Sequence, residues 1–333
     1  MNPYVFIVGC ARSGTTLLQR MINAHSQIAI TPECHWICRL FEQGRGLTPD
    51  GVVTAELIPL LLEDLHPRFA RLNIGRQELV RLLESDRAVH YSAFVSSIFD
   101  LYGKAKGKKL VGNKTPSCVR RINTLKRLWP QARVIHLIRD GRDVCLSMIN
   151  RPLNNVIRGP LYTWSQDPVT TAGLFWEWSV KLGRQAGNTL AGSLYYEMHY
   201  ESLVARPADE CRALCVFLGL PYEEAMLRFH EGRKKTDSPS DAKHAWLPSA
   251  ENESEFRLRP FTPGLRDWRS QMSREDTERF EAVAGGLLDE LGYPRAIPRF
   301  QPERLEVASR IRELFAANVP RPLVEAVGPE ARP

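Results

Sequence analysis

The sequence predicts an α/β fold: a central parallel sheet flanked by helices. Three observations carry that reading. Short apolar runs (4–10, 28–31, 109–112, 133–138 and 193–199) alternate with segments of helical period, the pattern of strands joined by crossover helices. The first run ends in a glycine turn that opens a helix with hydroxyl residues, Gly9-Cys10-Ala11-Arg12-Ser13-Gly14-Thr15-Thr16. Three polar segments, 9–16, 113–116 and 139–140, each follow a strand candidate directly. That sets all three on one sheet edge, where open α/β sheets bind ligands.

Each element follows from its local pattern. Residues 4–10 are apolar almost throughout, as in a strand buried on both faces, and a helix runs from about Gly14 to Ala24. Ile28–Thr31 is a second apolar run, and Pro32 suits the first turn of another helix. Between 51 and 102, Leu57, Leu60, Leu61 and Leu65, then Leu79, Leu82 and Leu83, then Phe94, Ile98 and Leu101 recur at helical spacing. Lys109–Gly112 reads as a strand, Ser117–Trp129 as a helix, Arg133–Ile138 as a β-branched strand and Gly141–Asn150 as a helix. Residues 151–171 are rich in Pro, Asn and Gly and read as a surface loop of the kind that forms lids or binding loops. A helix over 172–190, a strand over 193–199 and a helix over 208–218 follow, then a polar loop over 231–262 and helices near 273–291 and 302–316. The organisation is one domain over 1–300, with a C-terminal helix and flexible tail over 301–333.

Composition bounds the function. The 333 residues are 43% hydrophobic and 25% charged, ordinary values for a soluble protein, and no apolar run is long enough to span a membrane. No basic n-region or cleavage site marks a secretory signal. The seven cysteines are scattered, with Cys34/Cys38 and Cys211/Cys215 at i,i+4 and no C-x-x-C pair. They read as reduced structural thiols rather than a metal site or disulfide frame, and the chain reads as cytoplasmic. A net charge of +7 suggests an anionic ligand. The densest basic run, Lys104–Lys109, reads as a solvated turn, and without a zinc finger or RNP-type motif nothing marks a nucleic-acid partner.

The opening loop is built for an anion. Amides of Ser13–Thr16 at a helix N-terminus can hold a phosphate, and Arg12 adds a bidentate charge. Nucleotide triphosphatases place Lys after the second glycine; here Thr15 stands there. A metal-holding carboxylate would end a later strand, yet that strand ends in Ile138-Arg139-Asp140-Gly141-Arg142-Asp143, with arginines among the acids.

These two segments together resemble the sulfotransferases that use 3′-phosphoadenosine-5′-phosphosulfate (PAPS), whose P-loop-type fold the resemblance implies. Gly9-x-x-Arg12-Ser13-Gly14-Thr15-Thr16-Leu17 resembles their 5′-phosphosulfate loop, and Arg139-Asp140-Gly141-Arg142-Asp143-x-x-x-Ser147 their 3′-phosphate segment. The pattern is nearest to tyrosylprotein sulfotransferases and their bacterial relatives, through Asn23-Ala24-His25, Glu33, Asn113-Lys114-x-Pro116, Arg151, Tyr200-Glu201, Trp268 and Leu291-Gly292-Tyr293. The resemblance implies PAPS as co-substrate, 3′-phosphoadenosine-5′-phosphate (PAP) as product, no metal, and a hydroxyl-bearing acceptor that could be a small molecule, a sugar or a peptide tyrosine. It implies that Glu33, twenty-one residues after Arg12, is the general base, and that Lys114, with Arg12, stabilises the leaving group. It also implies donor contacts from Arg12 through Leu17 and from Arg139, Ser147 and Arg151, with Tyr200 and Arg259 as further positions. Cytosolic members carry Lys-Thr-His where this chain has Lys114-Thr115-Pro116, so their histidine base is absent. His35 is the rival base, expected to face elsewhere, two residues along a helix from Glu33. Phe175, Trp176 and Trp178 read as packing, and His136 as a core residue. A P-loop kinase and a non-catalytic nucleotide-binding relative stay open as alternatives. The oligomeric state is open as well, a homodimer included.

Overall fold

A computed structural model describes residues 3–64, 69–84, 88–150, 159–231 and 267–319 of the chain. Among these, five strands form one parallel sheet in the order β2-β3-β1-β4-β5: β1 Val5–Gly9, β2 Ile28–Thr31, β3 Leu110–Lys114, β4 Arg133–Ile138 and β5 Tyr195–His199. β1 lies in the middle, with Val5 opposite Gly112 of β3 and Arg133 of β4. The register therefore brings the carboxyl ends of β1, β3 and β4 to one edge, as expected from the sequence.

The helices follow in crossover order. α1 (Thr15–Ala24) returns from β1, and α2 (Trp36–Gln43) follows β2. Helical turns over 57–64 and 70–72 lead to α3 (Arg76–Arg81) and α4 (Tyr91–Ala105). A 3₁₀ turn (Pro116–Arg121) and α5 (Ile122–Leu128) join β3 to β4, and α6 (Gly141–Ile149) leaves β4. α7 (Pro168–Gly187), α8 (Tyr200–Ala205), α9 (Pro207–Leu218), the single turn α10 (Trp268–Gln271), α11 (Arg274–Glu290) and α12 (Pro302–Asn318) complete the order.

Two departures from the sequence reading have a clear local reason. Helix α2 starts at Trp36, not at Pro32, because the Pro32–Cys34 backbone is tied to the end of β3: Asn113 donates to the Pro32 carbonyl (2.9 Å) and the Cys34 amide donates to Thr115 (2.9 Å). The region 151–171 is not loop throughout. Gly159–Ser165 forms a 3₁₀ turn, and α7 begins at Pro168, where Asp167 caps it by accepting the Thr170 amide (2.9 Å). Residues 151–158 and 232–266 lie outside the described residues, and with them Arg151 and Arg259.

Three apolar clusters line the sheet. One spans Tyr4, Phe6, α2, α4 and α5; a second joins α6, α7, α11 and α12; a third packs α1 and α9 against β1 and β4. The last helix, α12, belongs to the second cluster, with Phe315 buried edge-on to Trp178. Phe175, Trp176 and Trp178 are packing residues here, as the sequence suggested.

Candidate active site

The site is built on the ends of β1, β3 and β4. After Gly9 the chain turns through Arg12, whose φ of 76° lies in the left-handed region, and Gly14 at φ 92°. Gly14 is required twice over: its φ suits glycine, and a Cβ there would lie 2.4 Å from the Tyr200 ring. Leu17 and Leu18 are the first residues to bond back along α1, both to the Gly14 carbonyl (2.9 and 3.3 Å). The amides of Thr15 and Thr16 before them therefore have no intrahelical acceptor, the arrangement that lets a helix N-terminus bind an anion. Ser13 is fully buried, and its hydroxyl has no hydrogen-bond partner among the described residues, so a donor is held in reserve inside the cradle.

Across β1 and β4 the two segments expected to bind anions meet. Arg12 Nε donates to Ser147 Oγ at 2.8 Å, so the loop after β1 touches the helix after β4. Arg139 is held by Asp143 (3.1 Å), and its guanidinium lies 4.3 Å from the Tyr200 ring centroid, a cation–π contact. Burial pushes the Asp143 carboxyl up against the opposing pull of Arg139. Tyr200 thus joins both segments by touching Gly14 and Arg139.

The second arginine of the Arg139–Asp143 segment does something else. Arg142 is fully buried, bonded to Asp140 (2.8 Å), to Glu281 (2.7 Å) and to the Pro294 carbonyl (2.8 Å), and it lies 3.6 Å from the Trp268 ring centroid. It anchors the start of α6 and does not face the site. The main chain of Arg139 and Asp140 is pinned as well: Trp176 donates to the Arg139 carbonyl (3.0 Å) and the Asp140 amide donates to Glu201 (2.9 Å), which Tyr293 also reaches (2.9 Å). Glu201, Trp268 and Tyr293, noted only as part of a resemblance, are the scaffold of this segment.

At the end of β3, Lys114 is nearly buried and donates to Glu33 Oε1 at 2.5 Å and to Thr16 at 3.3 Å. The second carboxylate oxygen, Oε2, lies 2.9 Å from His35 Nε2. His35 therefore does not face away from Glu33. Because the chain from Pro32 to Cys34 is not helical, the i,i+2 pair can point the same way. Burial pushes the Glu33 carboxyl up, but the hydrogen bond from His35 and the charge and hydrogen bond of Lys114 outweigh it, and the pKa falls to about 2. His136 is a core residue, bonded to Tyr195 (2.7 Å) and driven by burial to a pKa of about 3.

The structure thus gathers Arg12, Ser13, Gly14, Thr15, Thr16 and Leu17 with Glu33, Lys114, Arg139, Ser147 and Tyr200 at one sheet edge. Asn113 and Thr115, in the 113–116 segment flagged from the sequence, hold the Glu33 segment, and the structure adds Ser117, one residue beyond it, which no sequence pattern marked. Chemically, the edge offers a compact anion cradle, a second cationic patch beside it, and a lysine–carboxylate pair between cradle and solvent.

A family model described as "Sulfotransferase family" matches residues 3–224. Protein-tyrosine sulfotransferase 1 of Danio rerio is 27% identical over 306 residues, covering 89% of this chain and 74% of its own length. The putative protein-tyrosine sulfotransferase of Caenorhabditis briggsae is 24% identical over 291 residues, covering 87% and 88%. Among solved structures, the sulfotransferase domain from the curacin biosynthetic pathway superposes with a TM-score of 0.58 at 19% identity, over 88% of this chain and 99% of its own. The sulfotransferase domain from the Synechococcus PCC 7002 olefin synthase gives 0.53 at 22% identity, over 96% of each. With a matching family model over most of its length and the same fold, the chain belongs to the sulfotransferase family and is an enzyme of sulfuryl transfer to hydroxyl acceptors.

Proposed function

We propose that the donor is PAPS and that PAP is released, with a hydroxyl oxygen as nucleophile. The observation that carries this reading is the Arg12–Ser147 bond, which sets two anion sites side by side on adjacent strands. A nucleotide with phosphate groups at both ends of its ribose fits that spacing of sites; a linear triphosphate leaves the Arg139 patch without a role. The amides of Thr15 and Thr16 with the Ser13 hydroxyl suit the 5′ anion, and Arg139 with Ser147 suits the 3′-phosphate.

In this reading the acceptor oxygen attacks sulfur while the bond from sulfur to the 5′-phosphate oxygen breaks. Lys114 and Arg12 stabilise the charge that collects on the departing phosphate, and Glu33 takes the hydroxyl proton. Two cations and the loop amides supply the positive field, so no metal is required. Arg151 and Arg259 are kept as donor-contact candidates on the resemblance alone. The seven cysteines, all buried and unbridged, support a cytoplasmic setting. A screen of phenols, sugars and peptides with sulfur-labelled PAPS, run with and without EDTA, tests the proposal. Label should pass to at least one hydroxyl class at a rate EDTA leaves unchanged. Strict dependence on added magnesium would point to phosphoryl chemistry instead.

A further inference from the structure

Two short segments lie against each other at the site, and the side chains of one hold the other almost residue by residue. Asn113 donates to the Thr31 hydroxyl (2.8 Å) and the Pro32 carbonyl (2.9 Å); Lys114 reaches Glu33 (2.5 Å); Thr115 accepts the Cys34 amide (2.9 Å); and Ser117 Oγ lies 3.0 Å from His35 Nδ1. The first four contacts fix the main chain around Glu33 and one of its carboxylate oxygens. They leave the other oxygen, Oε2, to swing. His35 Nε2, 2.9 Å away, is the group that stops it.

The hydrogen-bond chemistry settles the direction of these contacts. An ionised carboxylate only accepts, so the proton between Oε2 and Nε2 belongs to the imidazole. A neutral ring then carries its lone pair on Nδ1, where the Ser117 hydroxyl can donate. Stability is a weak reason for such an arrangement. The side chains of His35 and Glu33 are 30% and 37% exposed, and ion pairs at that exposure contribute about 1 kcal/mol or less. Orientation is a stronger one, because displacing a reacting group by about 1 Å can cost about 100-fold in rate.

We propose that His35, held by Ser117, is a positioning residue of the transfer reaction: its Nε2–H fixes Glu33 Oε2, so that Oε1 is the oxygen turned to the reacting hydroxyl. Oε1 keeps a lone pair beside its bond from Lys114, and the hydroxyl proton moves there as the O–S bond forms and the S–O bond to the 5′-phosphate breaks. This rests on the donor reading above for its chemistry, but not for its geometry.

Two measurements on the full chain test it. The first is nitrogen-resolved NMR of the histidine rings, which needs no substrate. It should find His35 as the Nε2–H form, with signals that move in both Glu33→Gln and Ser117→Ala. A proton on Nδ1 alone, or a ring indifferent to Ser117→Ala, overturns the proposal. The second is PAP release from PAPS with water as acceptor, which needs no natural acceptor. His35→Ala should lower kcat about 10- to 100-fold, with PAP affinity within two-fold of wild type, and added imidazole should restore part of the rate. Ser117→Ala should show a smaller loss, again in kcat alone. A wild-type kcat in His35→Ala, or a loss that appears in PAP affinity, overturns it. A wild type that neither binds PAP nor releases it counts against the donor assignment, and the NMR result still decides the role of His35.

Discussion

At the scale of single residues, the site divides its charges by task. Arg12 and Arg139 face the sheet edge; Arg142, in the same acidic–basic run as Arg139, is a buried structural ion. Replacing Arg139 with Ala should weaken PAP by about 1.5–3 kcal/mol, the range of hydrogen bonds to charged groups, and leave adenosine 5′-phosphate nearly unaffected. Calorimetric titration of both nucleotides reads this directly. Glu33→Gln keeps shape and removes basicity, so turnover should fall by about 10²–10⁴ with PAP affinity unchanged. The same variant has a signature in stability. Folded Glu33 titrates near 2 against an ordinary value of 4.5, so its stabilisation is complete above the ordinary value and is lost as pH falls toward 2. The melting-temperature gap between wild type and Glu33→Gln should therefore narrow across that acidic window and stay constant above it.

At the scale of elements, the strands were the most legible part, and for β1 to β4 the reason is burial on both faces. Arg133–Ile138 reads as a strand from its β-branched run, and β4 has those bounds. The segment after Pro32 was not legible. Its backbone bonds go to Asn113 and Thr115, residues about 80 positions away, and no local period reports such partners. The same distance hid Ser117 from His35. The start of α7 was missed because Asp167 and Pro168, a cap and a first-turn residue, sit inside a stretch whose composition reads as loop. Buried ionic anchoring was also invisible. Glu281 of α11 accepts from Arg142 (2.7 Å), Arg295 (3.1 Å) and the amides of Ala296 (2.9 Å) and Ile297 (3.0 Å). Glu281→Ala would leave the buried Arg142 and those amides short of an acceptor in the interior. A loss of about 3–5 kcal/mol in unfolding free energy is expected, the scale of a broken buried pair. Denaturant titration checks it, and PAP affinity of the folded fraction should be retained, since Glu281 touches scaffold only.

At the scale of the whole molecule, the parallel sheet explains why chemistry scattered over more than 130 residues of sequence forms one site. β1 stands between β3 and β4, so the segments that follow them open on the same edge. The lysine–carboxylate pair, the cradle and the Arg139 patch then sit in that strand order, β3, β1 and β4, across the edge. That the three share one edge was readable from the alternation of strands and helices; their order across it was not. The acceptor side was not readable either, because no motif or periodic pattern in the sequence marks it. The most direct test of the two-anion donor site compares PAPS with adenosine 5′-phosphosulfate, which lacks only the 3′-phosphate, as sulfuryl donors to one acceptor in the presence of EDTA. The kcat/KM for PAPS should exceed that for the shorter donor by about 10- to 100-fold, the rate equivalent of one charge-assisted phosphate contact, and Arg139→Ala should close the gap. Equal use of the two donors by the wild type, or no transfer from either without magnesium, would contradict it.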